Sequence, residues 1–190
     1  MFFVPFIAVA LLAAWLRGGR ISRIATCEVT GLACPVASFF VEVLRSLLWV
    51  PLRRWGWADG LLVCAQYALL AVFLVRNWRY CLGVPVAALG TLLNFVVIAC
   101  NGFLMPVTAR VAALPGWEGV VARLVAGEEA GYVLAGAHTR LGFLGDVLLV
   151  DVGPLRGLAS VGDVLLALGI AWLLYCAMRR EVRPTKEADA

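Results

Sequence analysis

Long apolar runs, separated by arginines or short turns, constrain this chain more than any other feature. Four runs lie within the first 100 residues, and a fifth lies near the C-terminus. They cover approximately 2–16, 30–51, 59–75, 81–100 and 157–177. Because a bilayer span needs about 20 mostly apolar residues, the pattern predicts a multispanning membrane protein. The first run is short, and Arg17 can extend it by reaching the lipid head groups.

Composition supports this class. Hydrophobic residues make up 63% of the chain and charged residues 15%, against about 45–50% and about 25% in soluble domains. In hydrocarbon every backbone polar group must be bonded within the protein, which leaves helices or a closed barrel. The runs lack the alternation of barrel strands. We therefore expect an all-α integral membrane helical bundle, a single transmembrane domain over 1–190 with about five transmembrane helices.

The positions of the basic residues predict the orientation. Basic residues follow the first, third and fifth runs, at Arg17, Arg20, Arg23, Arg76, Arg79, Arg179, Arg180, Arg183 and Lys186. Positive charge in short loops marks the cytoplasmic face. We predict a cell-membrane protein with its N-terminus outside and a cytoplasmic tail at 178–190, although Arg53 and Arg54 oppose this orientation. Anionic lipid accounts for the net charge of +4 without any nucleic acid.

The sequence contains no recognisable metal or redox motif. None of the six cysteines belongs to a C-x-x-C pair, and His138 is the only histidine. Metal sites need clustered ligands, so we expect neither a metal nor a cofactor. P-loop and G-x-S-x-G motifs are also absent from the sequence. The cysteines are expected to be small apolar packing residues.

Two opposite charges occur inside the second run. Glu42 and Arg45 are three residues apart and therefore share one face of a helix. Charges inside a span usually face the bundle interior and form pairs. We expect a structural ion pair, with a functional site as the alternative.

The segment 101–156 is the least regular part of the chain. It is about 55 residues long, and a structureless loop of this length is uncommon in a compact domain. We expect a long folded loop with short interfacial or re-entrant helices, one or two of them within 107–125. Small residues at 127, 131 and 135 predict either a smooth helix face or a flexible loop. For the apolar stretch 140–152 the sequence leaves open whether it enters the membrane, as a re-entrant or as a transmembrane segment.

Ser160 and Asp163 stand at the start of the last run with the spacing of a capping box. In this motif the hydroxyl and the carboxylate bond free N–H groups at the start of a helix. Their simplest role is therefore to begin the last span.

Five short motifs occur in order along the chain. They are Leu16-Arg17-Gly18-Gly19-Arg20, Asn101-Gly102-Phe103-Leu104-Met105-Pro106-Val107, His138-Thr139-Arg140-Leu141, Leu144-Gly145-Asp146 and Ser160-Val161-Gly162-Asp163. In this order they resemble a family of small bacterial integral membrane proteins that is known only as a domain of unknown function. The resemblance implies a helical bundle in a bacterial cell membrane and implies no activity. Phe103 stands where the family pattern has a second glycine, which argues against a tight turn there.

Polar residues near the predicted outer face form the candidate site. They are Asn101, His138, Thr139, Asp146 and Asp163. Polar groups that converge in an apolar pocket are typical of a ligand site. One hypothesis is therefore that the folded-back segment and these residues line a cavity for a lipid head group or small solute. The alternative is that these residues cap helices and bond irregular backbone.

Three functional hypotheses remain open, each with membrane lipids as partners. The first is a non-catalytic module that binds a lipid or solute at the outer end of the bundle. The second is an accessory subunit of a larger membrane complex or a homo-oligomer, which predicts a flat glycine and alanine surface. The third is an intramembrane enzyme with Asp146 and Asp163 as acid and base. Arg140 is expected to neutralise Asp146. The lack of other catalytic motifs favours a non-catalytic role.

Overall fold

The polypeptide folds mainly into helices. The computed structural model describes residues 3–52, 54–152 and 155–179. Helices α1 to α8 cover Phe3–Leu16, Ser22–Ala25, Ala33–Leu47, Trp49–Leu52, Gly56–Arg76, Gly83–Cys100, Glu118–Ala126 and Val161–Arg179. Strands β1 to β4 cover Met105–Val107, Tyr132–Leu134, Leu148–Val152 and Leu155–Ala159. The predicted tail 178–190 lies outside the described residues from position 180 onward.

Three of the described helices, α5, α6 and α8, are long and apolar enough to cross a membrane. They support the prediction of a transmembrane protein. The α1 helix is apolar but has only 14 residues, which extend over about 21 Å of a hydrocarbon layer about 30 Å thick. The α3 helix has 15 residues and includes Glu42 and Arg45. The crossing of α1 and α3, and with it the count of five spans, stays a prediction.

Two of the predicted runs have different boundaries in the structure. The run 30–51 contains two helices, α3 and α4, which are separated at Leu48. Pro51 lacks the N–H group that would bond the carbonyl of Leu47 in a continuous helix, which favours this break. The run 157–177 begins as a strand, because β4 reaches Ala159 and α8 starts only at Val161. A short apolar segment has no periodicity that distinguishes a strand from a helix.

The α6 and α8 helices are antiparallel and pack very closely. Gly83 on α6 faces Gly169 on α8, and Gly90 faces Gly162. A Cβ atom added to any of these glycines would collide with atoms of the opposite helix. Small residues let membrane helices approach closely and gain van der Waals contact, which matters because lipid provides no hydrophobic driving force between them.

The long helices alternate in direction along the chain. The C-terminal end of α3 meets the N-terminal end of α5 through Arg45 and Asp59. The C-terminal ends of α1 and α8 meet where the backbone N–H of Arg20 donates to the carbonyl of Met178. We call the end of the bundle that residues 101–159 occupy the covered end. The opposite end, to which the arginines after α1 and α5 belong, is called the basic end.

Residues 101–152 and 155–159, called the segment from here on, fold into small sheets and short helices over the covered end. Strands β1 and β2 are parallel, and Asp146 forms a further parallel bridge with Val107. Strands β3 and β4 form an antiparallel hairpin. The short helices predicted within 107–125 are a 3₁₀ turn at Ala109–Ala113 and the start of α7. The four strands correct the all-α prediction: an irregular segment must bond its backbone groups, and here it does so by strand pairing.

At two places in this segment the structure excludes one of the alternatives that the sequence left open. The stretch 140–152 contains strand β3, which pairs with β4, and not a helical span. The small residues at 127, 131 and 135 do not form a helix face, because Gly127 ends α7 in the left-handed conformation. Gly131, with φ +78°, forms the turn before β2. Both positions need the conformational freedom of glycine.

The segment has a small hydrophobic core of its own. Val107, Val111, Trp117 and Leu124 are buried together. Burial of these side chains gives the segment a fixed structure without any long helix. It therefore forms a stable cover over the bundle.

Candidate functional site

A cavity of about 340 Å³ lies between the covered end of the bundle and the folded segment. Residues of α3, α5, α6 and α8 line one side, and residues of β1, β2 and the chain near Asp146 line the other. The polar lining residues are Glu42, Arg45, Gln66, Tyr67, Asn94, Tyr132, Asp146 and Asp163. Apolar lining comes from Val63, Ile98, Met105 and Leu158. Cavities of this size accommodate small ligands.

Arg45 joins two helices and the segment. Its guanidinium forms a bidentate ion pair with Asp59, with Nε–Oδ1 at 2.6 Å and Nη2–Oδ2 at 3.0 Å. Nη2 also donates to the carbonyl oxygen of Phe103 at 3.0 Å. Glu42, the partner expected from the sequence, lies 3.6 Å from Nη1. The main partner is therefore on the neighbouring helix, and it neutralises the charge of Arg45 within the cavity wall.

A tight turn still forms at Phe103, contrary to the expectation from the missing glycine. Gly102 has φ +69° and Phe103 has φ +66°, a conformation that costs a non-glycine residue about 1 kcal/mol or more. The ring of Phe103 occupies the space beside Gly60, where a Cβ atom would lie 2.6 Å from the ring. This packing and the hydrogen bond from Arg45 hold the strained backbone in place.

The start of α8 forms the predicted capping box. Ser160 Oγ accepts a hydrogen bond from Asp163 N at 2.9 Å, and Asp163 Oδ2 accepts one from Ser160 N at 3.0 Å. Asn94 on α6 extends this network, since its Nδ2 donates to Asp163 Oδ1 at 2.8 Å. Asn94 Oδ1 accepts from Ser160 Oγ at 2.8 Å. Both carboxylate oxygens of Asp163 therefore have partners, and its role in capping is confirmed.

Asp146 lines the cavity and has one fully buried carboxyl oxygen, Oδ1, without a hydrogen-bond partner in the described residues. Its backbone is held beside β1, where its N–H donates to Pro106 O at 2.9 Å and its carbonyl accepts from Thr108 N at 3.0 Å. Gly145 permits this approach, because a Cβ atom there would overlap the carbonyl of Pro106. Asp146 is only 6% exposed, and within the described part of the chain no donor bonds its Oδ1. A buried polar atom without a partner is unfavourable and is often found at functional sites.

Burial, and to a smaller extent the charge of Asp163, raises the pKa of Asp146 from 3.8 to about 7. Low-polarity surroundings disfavour the charged form of a carboxyl group. The pKa of Tyr132 is also raised, mainly by desolvation of its phenol and next by Asp146, while 39% of the residue as a whole remains exposed. Near neutral pH, Asp146 can therefore gain or lose a proton, while the phenol of Tyr132 stays protonated.

Two of the predicted site residues, Asp146 and Asp163, line the cavity. Asn101 instead follows α6 and fixes the segment to it. Its Oδ1 accepts from Arg140 N at 2.9 Å, and its Nδ2 donates to the carbonyls of Arg140 and Val97, each at 2.7 Å. This is the backbone-bonding role that the sequence left as the alternative.

His138 and Thr139 lie away from the cavity lining. His138 is exposed, and Thr139 Oγ1 accepts from the backbone N–H of Gly136 at 2.8 Å. Arg140 is exposed, and the salt bridges of the described residues do not include one between Arg140 and Asp146. The structure therefore does not place these three residues with the two aspartates.

Sequence reasoning missed five polar residues of this site, namely Asp59, Gln66, Asn94, Tyr67 and Tyr132. The first four lie inside apolar runs, and polar residues in such runs usually face the bundle interior. That signal was available in the sequence. Tyr132 lies in the segment, where no such rule identifies it.

The lining offers hydrogen-bond acceptors and one carboxyl group that titrates near neutral pH. Among the described residues, no three His, Cys, Asp or Glu side chains are placed to hold a metal ion. The arrangement is therefore suited to a small polar ligand that brings its own donors. It also places the carboxyl groups of Asp146 and Asp163, which have different hydrogen-bonding environments, in one cavity.

Comparison with known families identifies a match over most of the chain. A family of unknown function (DUF5317) matches residues 27–175, which include α3, α5, α6 and the residues that line the cavity. No curated protein and no solved structure matches the chain.

Proposed function

The chain belongs to this family of unknown function, and we propose that it is a non-catalytic membrane protein that binds a lipid head group or a small polar solute. The binding site is the cavity at the covered end of the bundle. Asp146 carries the proposal, because its buried Oδ1 has no hydrogen-bond partner in the described residues. Because Oδ1 is itself fully buried, a donor from a bound ligand would satisfy this atom after the carboxyl group of Asp146 rotates toward the cavity that the residue lines.

The rest of the lining supports binding because its polar groups are already held in position. Asp163 and Asn94 are fixed by the capping network, and Arg45 is fixed by Asp59. A ligand that enters such a preorganised site does not have to order these side chains, which lowers the entropic cost of binding.

Native mass spectrometry of the detergent-purified protein tests this proposal. Gln66 lies on the cavity wall, so Gln66→Trp is expected to fill the cavity. Leu61 is on the same helix but 60% exposed, and Leu61→Trp adds the same bulk outside the cavity. We expect a retained ligand in the wild type and in Leu61→Trp, and its loss in Gln66→Trp. Equal retention by all three proteins, or no retained ligand in any of them, would overturn the proposal.

We further infer that α1 and α3 cross the bilayer of a bacterial cell membrane, with the N-terminus outside and the C-terminus in the cytoplasm. The alternating helix directions support five crossings, and the arginines after α1 and α5 share one end of the bundle. Reporter fusions at the two termini test the topology, with an enzyme that is active only outside the cell and a fluorescent protein that folds only inside. The two termini should report opposite sides, and reports from the same side would exclude an odd number of spans.

Catalysis on a lipid is the second candidate function. The observation that favours it is that Asp146 and Asp163 line the same cavity in different surroundings. In such an arrangement Asp146 could serve as the acid or base, beside the carboxylate of Asp163, which is held by hydrogen bonds. Vesicles of mixed lipids, incubated with the protein and analysed by mass spectrometry, would show a new lipid mass. Asp146→Asn should abolish that product without unfolding the protein.

The accessory-subunit hypothesis predicted a flat surface of small residues. Along α6 and α8 the glycines face each other and are buried by that contact. They account for the close packing of these two helices and leave no outward glycine surface there for a partner. Ala65, Ala68 and Ala71 of α5 are exposed, so small residues remain available to a partner on that helix and the accessory role stays an alternative.

A further inference from the structure

We infer that the ligand of this cavity carries a primary ammonium group, which lies against the carboxylate of Asp146. The inference rests on the proposed function, because it names the chemical class of ligand for the same site. Such a group occurs in a free amine, for example ethanolamine, and in the head group of an aminophospholipid.

The charges around the cavity favour a cation. Three carboxylates line it, those of Glu42, Asp146 and Asp163, against the single guanidinium of Arg45. Asp59 pairs with that guanidinium at 2.6 and 3.0 Å. The charge of Arg45 is thus already compensated, and the lining found for this cavity supplies no second cation. The cavity has an excess of negative charge.

Asp146 is the carboxyl group in greatest need of a counterion. Asp163 has hydrogen-bond partners at both oxygens, and Glu42 is 42% exposed and 3.6 Å from Arg45. Asp146 is buried, and its Oδ1 has no partner in the described residues. An ammonium group supplies a positive charge and three hydrogen-bond donors in one small group. It would therefore supply the missing counter-charge and, once the carboxyl group rotates toward the cavity, the missing hydrogen bond.

The remaining features of the lining fit an organic ammonium. Tyr67 and Tyr132 line the cavity, and aromatic rings attract ammonium ions. In the described part of the chain no three acidic, His or Cys side chains are arranged for a metal ion. A ligand whose only charged group is a phosphate would be repelled by the carboxylates, and Arg45 is already paired with Asp59. A volume of about 340 Å³ accommodates a group the size of ethanolamine.

The test compares ethanolamine with ethylene glycol, a neutral molecule of similar size, as ligands of the full-length protein in detergent. Ethanolamine is expected to raise the unfolding temperature in a saturable manner, and ethylene glycol is not. A second arm uses nanodiscs of phosphatidylethanolamine or phosphatidylcholine, followed by native mass spectrometry. Preferential retention of phosphatidylethanolamine supports a lipid source of the ammonium group. A response to free ethanolamine without that preference supports a solute.

Charge-removing variants connect the effect to Asp146. Asp146→Asn keeps the shape of the side chain and is expected to weaken ethanolamine binding by about tenfold or more. Glu28→Gln is the matched control, because it removes an exposed carboxylate that precedes α3, at the basic end. It should bind like the wild type. Glu42→Gln gives a second measurement if Asp146→Asn does not fold, and weaker binding is again expected.

The outcomes distinguish this inference from the proposed function. Equal stabilisation by ethanolamine and ethylene glycol together with equal retention of the two phospholipids, or wild-type affinity in Asp146→Asn, overturns the ammonium inference. If a different ligand is then retained by the wild type and lost in Gln66→Trp, ligand binding in the cavity still holds. If no ligand is retained and no probe stabilises the protein, both proposals fail.

Discussion

Arg45 and Asp59 pair across two antiparallel helices, with Nε and Oδ1 only 2.6 Å apart and side chains 8% and 6% exposed. The pair lies at the covered end, where Arg45 also bonds the carbonyl of Phe103 at 3.0 Å. The net stability gained from an intact buried pair is small, because desolvation offsets the attraction, but loss of one partner leaves an uncompensated charge. The pair therefore fixes the geometry of α3, α5 and the segment around the cavity.

Removal of the Asp59 charge should destabilise the protein strongly. Asp59→Asn is expected to lower the free energy of unfolding by about 3–5 kcal/mol, because Arg45 would remain charged and buried. Unfolding in detergent measures the change. Arg123→Gln is the control, since Arg123 and Glu129 are 2.7 Å apart but 51% and 33% exposed, and exposed pairs contribute at most about 1 kcal/mol. Equal losses in the two variants would contradict this account.

Close packing of α6 on α8 should depend on glycine. In Gly90→Ala the new Cβ would collide with Gly162 and Leu166, and overpacking of this kind costs about 1–3 kcal/mol. Gly119→Ala in α7 is the control, because its nearest neighbour would be Arg123 Nη1 at 4.0 Å. That variant should be neutral or slightly stabilising. The same unfolding measurement tests this prediction. A Gly90→Ala protein as stable as the control would show that α6 and α8 can move apart without loss of stability.

The helical part of the fold was largely predictable from the apolar runs. A continuous apolar run in lipid must bond its own backbone, so α5, α6 and α8 follow from composition and length. The start of α8 was predictable because Ser160 and Asp163 act within one helical turn. Such local chemical rules succeed where partners lie a few residues apart.

The other parts of the fold and of the candidate site depend on contacts between distant parts of the chain. Spacing on one helix identified Glu42 as the partner of Arg45. Asp59 lies on another helix, and it can be identified as a partner only when the packing of α3 on α5 is known. The strands β3 and β4 are short, mostly apolar stretches, and they are too short for their periodicity to distinguish a strand from a helix. Asp146 and Asp163 were predicted to share one site. The position of Asp146 depends on its backbone bridge to Val107, a contact between distant residues that the sequence does not reveal.

Asn101 should anchor the segment to α6. Asn101→Ala removes two hydrogen bonds to Arg140, at 2.7 and 2.9 Å, and each is worth about 0.5–1.5 kcal/mol. Hydrogen exchange around residues 136–145 is expected to become about tenfold faster. Thr139→Val, the control, removes only the local bond to Gly136 at 2.8 Å and should have a smaller effect. Unchanged exchange in Asn101→Ala would mean that the hydrophobic core of the segment alone fixes its position.

Stability should decrease as the pH rises from about 5 to about 8, because Asp146 must lose its proton in the folded state. Its pKa is raised from 3.8 to about 7, mainly by burial and next by Asp163. In this range the folded protein binds a proton that the unfolded chain has already released, so folding is favoured at low pH. The loss amounts to roughly 2–3 kcal/mol and is nearly complete above the folded pKa.

Asp146→Asn isolates this contribution, since the amide resembles the protonated acid in shape and does not titrate. Unfolding temperatures of the wild type and the variant, measured without added ligand, should be similar near pH 5 and differ near pH 8, where the variant is expected to be more stable. Other titrating groups affect both proteins equally, so the difference reports Asp146. Parallel curves would show that Asp146 ionises as easily in the folded protein as in the unfolded chain, and that its carboxylate has a compensating partner.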